Sequence, residues 1–369
     1  MHLRIDKSKE YAIALEGGGA KGAYEVGVWK ALEEAGIKYC AVAGSSVGAL
    51  NGALMAMRDL QTAIALWENI TYSQIMDVDD AQMKAFFGKE MQWSDVPAFL
   101  KEMAEVVQNG GFDIRPLRCL LKDTIDEERV RQSDVECYLV TYSLTDRKEM
   151  DLDVKTLKRG TLHDMLLASA YFPAFKQQPL GGKFYTDGGI QNVLPIDSLL
   201  ARGYRDILAI RIYGVGYEKK VDIPQDACIT VIAPTEKLGS VLRFEKAQTQ
   251  RDLQLGYFDG LRALYGLEGE TYYIDRQWSE EKAYGILCAM QRQEAEKKRK
   301  TVSLRELNEE WLPRLAKKKK VKGDYYALLL KVLEDQAEEM GITPFAIRTE
   351  KALFQEMIQK QAERTGSGG

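Results

Sequence analysis

Two glycine-rich stretches near the start of the chain carry residue types whose spacing could do chemistry. They are Gly17-Gly18-Gly19-Ala20-Lys21-Gly22 and Gly44-Ser45-Ser46-Val47-Gly48. The second fits G-x-S-x-G, the spacing of a nucleophile elbow, where a tight strand-to-helix turn pushes a serine hydroxyl into a cleft. Ser46 is the candidate nucleophile. Gly44 and Gly48 lie two residues to either side, where a Cβ would collide with the turn, and Ser45 lacks that symmetry. The first stretch satisfies G-x-G-x-x-G through Gly17, Gly19 and Gly22, a dinucleotide fingerprint. That reading needs an acid at the end of the second strand to hold a ribose, and "CAVAGSSVG" has none. A P-loop fails as well, because no Gly-Lys-Ser/Thr follows. What survives is a nest of backbone N–H groups at the positive end of a helix, suited to concentrated negative charge, including a transient oxyanion.

A serine nucleophile needs a base. The two histidines are His2, in a terminal segment, and His163, in the first turn of "TLHDMLLASA". A triad running Ser, Asp/Glu, His has no histidine after residue 163 to use. A carboxylate is therefore the better candidate, and "YTDGG" offers Asp187, followed by Gly188 and Gly189. Asp-Gly is also a common hairpin signal, so a plain turn stays open. A turn would also aim a carboxylate into a cleft, with Gly188 removing steric cover. "ASAYFPAF", residues 168–175, supplies a proline break and an aromatic wall just before it.

These residues need elements to hold them. Apolar runs predict strands at Tyr11–Leu15, Tyr39–Ala43, Val135–Tyr142, Asp206–Ile212 and Cys228–Ile232. Helices are expected at Gly22–Ala35, closed by Gly36, and at Val47–Met57. Two more are expected at Thr161–Ala170, with Thr161 and Asp164 as a capping box, and at Pro195–Ala201, with Pro195 in the first helical position. The alternation predicts an α/β fold with a parallel, three-layered arrangement. Residues 73–111 interrupt it with an amphipathic stripe: Met83, Phe86, Phe87, Met91, Trp93, Val96, Phe99, Leu100 and Met103. The stripe reads as ordinary core or as a helical cap over an apolar pocket. From about Leu267 strand signals give out and long charged side chains dominate, so 267–364 reads as a helical C-terminal region, broken at "PRLAKKKKVKGDYY". Residues 365–369 read as a flexible tail.

Composition narrows the function classes. The chain has 369 residues, 45% of them hydrophobic, and a formal net charge of -4, so no basic field draws it to nucleic acid. Cys40, Cys119, Cys137, Cys228 and Cys288 are scattered, which reads as reduced thiols and neither a disulfide framework nor a zinc site. "MHLRIDKSKEYAIAL" is charged where a signal peptide has its apolar core. No apolar run reaches the ~20 residues of a membrane span. The expectation is a cytoplasmic protein whose membrane contact, if any, is peripheral. Lys317–Lys320 with Lys322 reads as a solvated helix end, with contact to anionic headgroups as the alternative.

The three motifs in this order, with "LASAYFPAF" and "GYFDGLRAL", resemble the patatin-like phospholipase family over roughly residues 11–265. The resemblance implies a three-layer α/β/α sandwich with a mainly parallel central sheet, making residues 8–266 the hydrolase domain. It implies a Ser46–Asp187 dyad that cleaves fatty-acyl esters of phospholipids or related lipids through an acyl-enzyme. Asp187 would be the general base. The oxyanion hole would come from Gly17, Gly18 and Gly19, principally the last two. Lys21 matches the family's basic position, as a loop-fixing or substrate-phosphate residue. No cofactor or metal is implied. The helical C-terminal region lies outside the shared core. It keeps a second expectation open: a regulated effector or lipid-binding protein whose tail binds a partner or signal and gates the hydrolase.

Overall fold

The computed structural model describes residues 4–87 and 110–366. Ile5–Leu264 forms one compact unit, and the chain from Tyr265, together with Arg4, a second.

The first unit is built on β1 (Glu10–Leu15), whose residues are all buried after the first. A strand apolar at every position suits a parallel sheet covered on both faces. The chain continues through α1 (Gly22–Ala35), β2 (Lys38–Ser45), α2 (Val47–Ala56) and α3 (Leu60–Asn69). Next come α4 (Asp80–Phe87), α5 (Arg115–Thr124), α6 (Glu127–Gln132), β3 (Glu136–Ser143) and β4 (Lys148–Asp153). The unit finishes with α7 (Leu162–Ser169), β5 (Tyr185–Thr186), α8 (Ile196–Ala201), β6 (Asp206–Ile210), β7 (Cys228–Ile232) and α9 (Lys246–Tyr265). The sheet runs β4-β3-β2-β1-β6-β7, parallel except where β4 and β5 pair antiparallel with β3. Ala12 and Ala14 of β1, with Ala41, Ala43 and Ala209, pack under Leu199 of α8. On the other face, Gly52 of α2 rests on Leu15 and Val42. Helices thus cover both faces, giving the expected α/β/α layers. β1 has β2 on one side and β6 on the other, so the strand order reverses there. Open sheets of this kind place their crevice outside the carboxyl ends of such strands.

Helix α9 contains "GYFDGLRAL". A Cβ on Gly256 would lie 2.0 Å from the Tyr24 carbonyl oxygen, and one on Gly27 2.0 Å from that of Leu253. The glycines are there because the α9 and α1 backbones touch.

Several expectations need correction. The strand expected to reach Ile212 stops at Ile210, because the Glu16 carboxylate takes the N–H groups of Ile212 and Tyr213. The Thr161–Asp164 capping box is not made. Thr161 Oγ1 donates to the Lys158 carbonyl instead, and Asp164 pairs with Arg118 at 3.0 Å. Pro195 caps α8 and is not its first helical residue. Antiparallel β4, "KEMDLD", was not expected, because its polar residues carry no apolar run. Of the amphipathic stripe, Met91, Trp93, Val96, Phe99, Leu100 and Met103 lie outside the described residues.

The second unit has its own core, with Leu287, Leu307, Leu329, Leu333 and Leu353 fully or almost fully buried. Its helices are α10 (Glu280–Lys297), α11 (Leu312–Lys319), α12 (Tyr325–Glu339) and α13 (Glu350–Gly366). A two-residue parallel pairing of β8 (Tyr273–Ile274) with β9 (Ile347–Arg348) adds the little sheet it has. The expected break falls between Lys320, which ends α11 at φ 59°, and Asp324, whose carboxylate caps α12 by accepting from Ala327 N–H.

Candidate active site

The turn from β2 into α2 carries Ser46 at φ 52°, ψ −125°, a strained region that a serine adopts only when its surroundings force it. The forcing groups are the flanking glycines. A Cβ on Gly44 would lie 2.2 Å from the Gly48 carbonyl oxygen, and one on Gly48 2.5 Å from that of Leu15. The elbow is pressed onto itself and onto β1, and the Ser46 side chain goes the other way, into a pocket. Ser45 is fully buried in β2 and does not reach it.

Ser46 Oγ donates to Asp187 Oδ2 at 2.6 Å, across 141 residues of sequence. Asp187 follows β5 and caps a short turn, its Oδ1 accepting the Gly189 N–H at 2.8 Å. Asp187-Gly188 therefore forms no hairpin: it opens a short helical turn, with the carboxylate set between Ser46 and Gly189. Gly188 has a different reason from the expected one: it is buried, and a Cβ there would lie 2.2 Å from the Val140 carbonyl oxygen. Burial raises the Asp187 pKa to about 6, against the lowering effect of the bonds from Ser46 and Gly189. Ser46 also caps the N-terminus of α2, where the helix dipole favours negative charge on Oγ.

Residues 17–19 lie beside this pair. The Gly18 and Gly19 N–H groups have no hydrogen-bond partner among the described residues, whereas Ala20 N–H donates to the Val241 carbonyl. Gly17, expected as a third oxyanion donor, is committed elsewhere: its N–H donates to the Val193 carbonyl at 2.8 Å. Gly19 needs its glycine, with φ 55° and the Val241 oxygen 2.1 Å from where a Cβ would sit. Gly22, opening α1, packs where a Cβ would meet Val47 and Trp67. Lys21 Nζ donates to the Tyr213 carbonyl at 2.6 Å, so it ties the glycine loop to the segment after β6. Among the described residues no three metal-ligating side chains gather. His163 Nε2 is bonded to the Ile125 carbonyl at 2.7 Å, a structural contact.

Two supporting residues were missed. Ser46 N–H donates to Ser169 Oγ at 2.9 Å, and that hydroxyl donates on to the Val140 carbonyl. Two residues later, the Tyr171 carbonyl accepts the Asp187 N–H at 2.9 Å. "ASAYFPAF" therefore holds both members of the pair by their backbone amides. Its proline and aromatics were visible in the sequence, but its grip on two distant residues was not. The other is Glu16, almost fully buried, whose Oε2 accepts Ile212 N–H at 2.7 Å and Tyr213 N–H at 3.0 Å. An acid ending an apolar strand was the available signal.

The pair opens onto a pocket of about 280 Å³, walled by Trp67, Met76, Phe112, Phe172, Phe175 and Phe244. Such a wall takes hydrocarbon and excludes water. A polarised hydroxyl, a carboxylate that can take its proton and two bare amides beside an apolar pocket can together carry acyl transfer.

An α/β sheet that presents a glycine-flanked serine to a carboxylate has the layout of the serine acyl hydrolases. The chain belongs to the patatin-like phospholipase family, whose model matches residues 13–200. It is similar to patatin-like phospholipase domain-containing protein 7 of Rattus norvegicus, 26% identical over 223 residues, or 60% of this chain and 14% of that protein. It is also similar to neuropathy target esterase sws of Drosophila melanogaster, 29% identical over 212 residues, or 57% of this chain and 13% of that one. A 48-residue stretch, 13% of this chain, is 54% identical to lysophospholipase nte1 of Aspergillus terreus and covers 3% of it. The chain thus spans about one seventh of the length of the first two relatives. Among solved structures, VipD from Legionella pneumophila aligns with 94% of this chain and 90% of its own at a TM-score of 0.39 and 14% identity. No helix of the described residues is long and apolar enough to cross a membrane.

Proposed function

We propose that this chain is a serine acyl hydrolase that cleaves fatty-acyl esters of phospholipids or related lipids through a Ser46–Asp187 dyad. The observation that carries the reading is the 2.6 Å hydrogen bond from Ser46 Oγ to Asp187 Oδ2 at an apolar pocket. In acylation, Oγ attacks the ester carbonyl carbon while its proton passes to Asp187 Oδ2. The carbonyl oxygen becomes an oxyanion held by the Gly18 and Gly19 amides. Collapse breaks the ester C–O bond, and Asp187 returns the proton to the departing alcohol. Water then attacks the acyl-serine with Asp187 as base again, releasing the fatty acid and restoring Ser46. Lys21 acts by holding the glycine loop, since its ammonium is already bonded to Tyr213.

The relatives named as phospholipase-domain protein, esterase and lysophospholipase are consistent with this chemistry. A second reading, in which the C-terminal unit binds a partner or signal and gates the hydrolase, is favoured by one observation: that unit has a core of its own. The test is turnover of a medium-chain nitrophenyl ester and of a phospholipid panel, with a metal chelator present. Ser46→Ala and Asp187→Asn should each abolish it while the protein stays folded. Turnover that persists in Ser46→Ala would sink the dyad. A chain lacking residues 268–369 that is as active as the whole would remove gating.

A further inference from the structure

Residues 212–217, just after β6, lie across both halves of the site. Tyr213 offers its carbonyl to Lys21, and its N–H goes to Glu16. Tyr217 N–H donates to the Gly189 carbonyl, and its own carbonyl accepts Val193 N–H, both at 2.9 Å. A Cβ on Gly214 would lie 1.7 Å from the Gly17 oxygen, and one on Gly216 2.3 Å from that of Gly189. The loop backbone is therefore clamped onto the glycine loop on one side and the Asp187 turn on the other. Ile212 stays in the core, but the side chains of Tyr213, Val215 and Tyr217 go outward. Tyr213 is 56% exposed, Val215 83% and Tyr217 57%, and Ile190, beside the same turn, is 43% exposed.

Single apolar side chains in water are ordinary, but four on one loop and the turn it is clamped to are not. Val215 and Ile190 also belong to the wall of the Ser46 pocket, so the exposed strip continues into the apolar interior. The cations that flank the loop are taken up by carboxylates, Arg211 by Glu218 and Glu16 and Lys219 by Glu149 and Asp197, so neither is free to draw the strip to anionic headgroups. Tyrosine, apolar in body and polar at its tip, suits the boundary between headgroups and acyl chains. The two half-exposed tyrosines offer roughly 200–300 Å², and a strip that adds only Val215 and Ile190 to them is short of the ~800 Å² per partner that a stable dimer needs. Shallow insertion of a few apolar side chains is enough for reversible contact with a leaflet.

We propose that Tyr213, Val215, Tyr217 and Ile190 form the surface by which this chain enters a lipid–water interface, so that an acyl chain passes from the leaflet into the pocket without crossing water. The inference rests on the acyl-hydrolase reading. It adds which surface meets the lipid, and that the contact is apolar in kind.

The test measures co-sedimentation of the full chain carrying Ser46→Ala with phosphatidylcholine vesicles, with and without phosphatidylglycerol, at low and high salt. The parent should bind both vesicle types with little salt dependence. Val215→Asp should lower the partition coefficient about tenfold or more, the scale of withdrawing one buried aliphatic side chain and adding a charge. Tyr213→Asn with Tyr217→Asn should lower it too, asparagine being chosen because Tyr213 sits at φ 48°. Thermal melts check that each variant is folded, and Val215→Ser carries the same arm if Val215→Asp melts early. In the chain with Ser46 intact, the two tyrosine changes should lower the ratio of vesicle to soluble-ester turnover. A parent that does not bind, variants that bind like the parent, or a dimer that Val215→Asp dissolves would each overturn the proposal. Binding is read on a chain without the Ser46 hydroxyl, so failure of the hydrolase reading appears separately, as nitrophenyl-ester cleavage that survives Ser46→Ala.

Discussion

Asp187, once ionised, works against the stability of the fold. Its raised pKa means that the folded chain holds the carboxyl proton more tightly than the unfolded chain does. Its contribution to stability is thus fully present below the ordinary carboxylate range and is lost as pH rises through about 6. In the proposed mechanism Asp187 must be ionised to accept the serine proton, so turnover should fall about tenfold per pH unit below that value. Asp187→Asn should abolish turnover and, at pH 8, raise stability by up to about 3 kcal/mol, read from chemical denaturation beside a pH–rate profile. Ser169→Ala should act in the opposite sense. It leaves the Ser46 N–H buried without a partner, at a cost of ~1–3 kcal/mol, and lowers kcat more than it changes KM, because the elbow loses its aim. Equal changes in kcat and KM would assign Ser169 to general packing. At this scale the strained serine turn and its flanking glycines were legible, because elbow sterics act over five residues. Ser169 was not, because its bond to Ser46 joins residues 123 apart. Gly17 misled for a similar reason: its acceptor, Val193, belongs to a distant loop.

Among the elements, the β2–α2 elbow and β1 form one steric unit. Gly48→Ala would place a Cβ against the Leu15 carbonyl oxygen at 2.5 Å, inside van der Waals contact with a backbone that cannot yield. The change should cost roughly 3 kcal/mol and remove activity together with stability, unlike Asp187→Asn, which separates them. Melting temperature and ester turnover measured on the same preparations check this. The inner parallel strands β1, β2, β3 and β6 were legible as short apolar runs, since burial on both faces leaves little alternation to mislead, and β7 was legible because its residues are apolar although its edge is partly exposed. β4 was not, because this edge strand carries charged residues at four of its six positions. The capping box at Thr161 failed because Arg118 competes for Asp164, and a local motif cannot report a partner 46 residues away.

At the scale of the whole chain, two cores are present, and the second depends on a buried acid. Glu334 Oε1 accepts the N–H groups of Glu270, Thr271 and Tyr272 at 2.9, 3.0 and 2.9 Å. Glu334→Ala would strand three amides and should destabilise the C-terminal unit by about 3 kcal/mol or more, while Glu334→Gln keeps an acceptor oxygen and should cost less. Calorimetry of the intact chain should show a transition moved down in the alanine variant and largely restored in the glutamine one. The helical character of this unit was legible from its composition. Glu334 was not, because a glutamate in an amphipathic helix looks like any solvated one.

The account turns on a serine activated by a carboxylate without a histidine. The most direct measurement is the site and rate of acylation by a fluorophosphonate, read by mass spectrometry of the digested chain. The account predicts one adduct on the peptide holding Ser46, formed at the parental rate in His163→Gln and slowed at least a hundredfold in Asp187→Asn. An adduct on another residue, or full-rate labelling of Asp187→Asn, would contradict it.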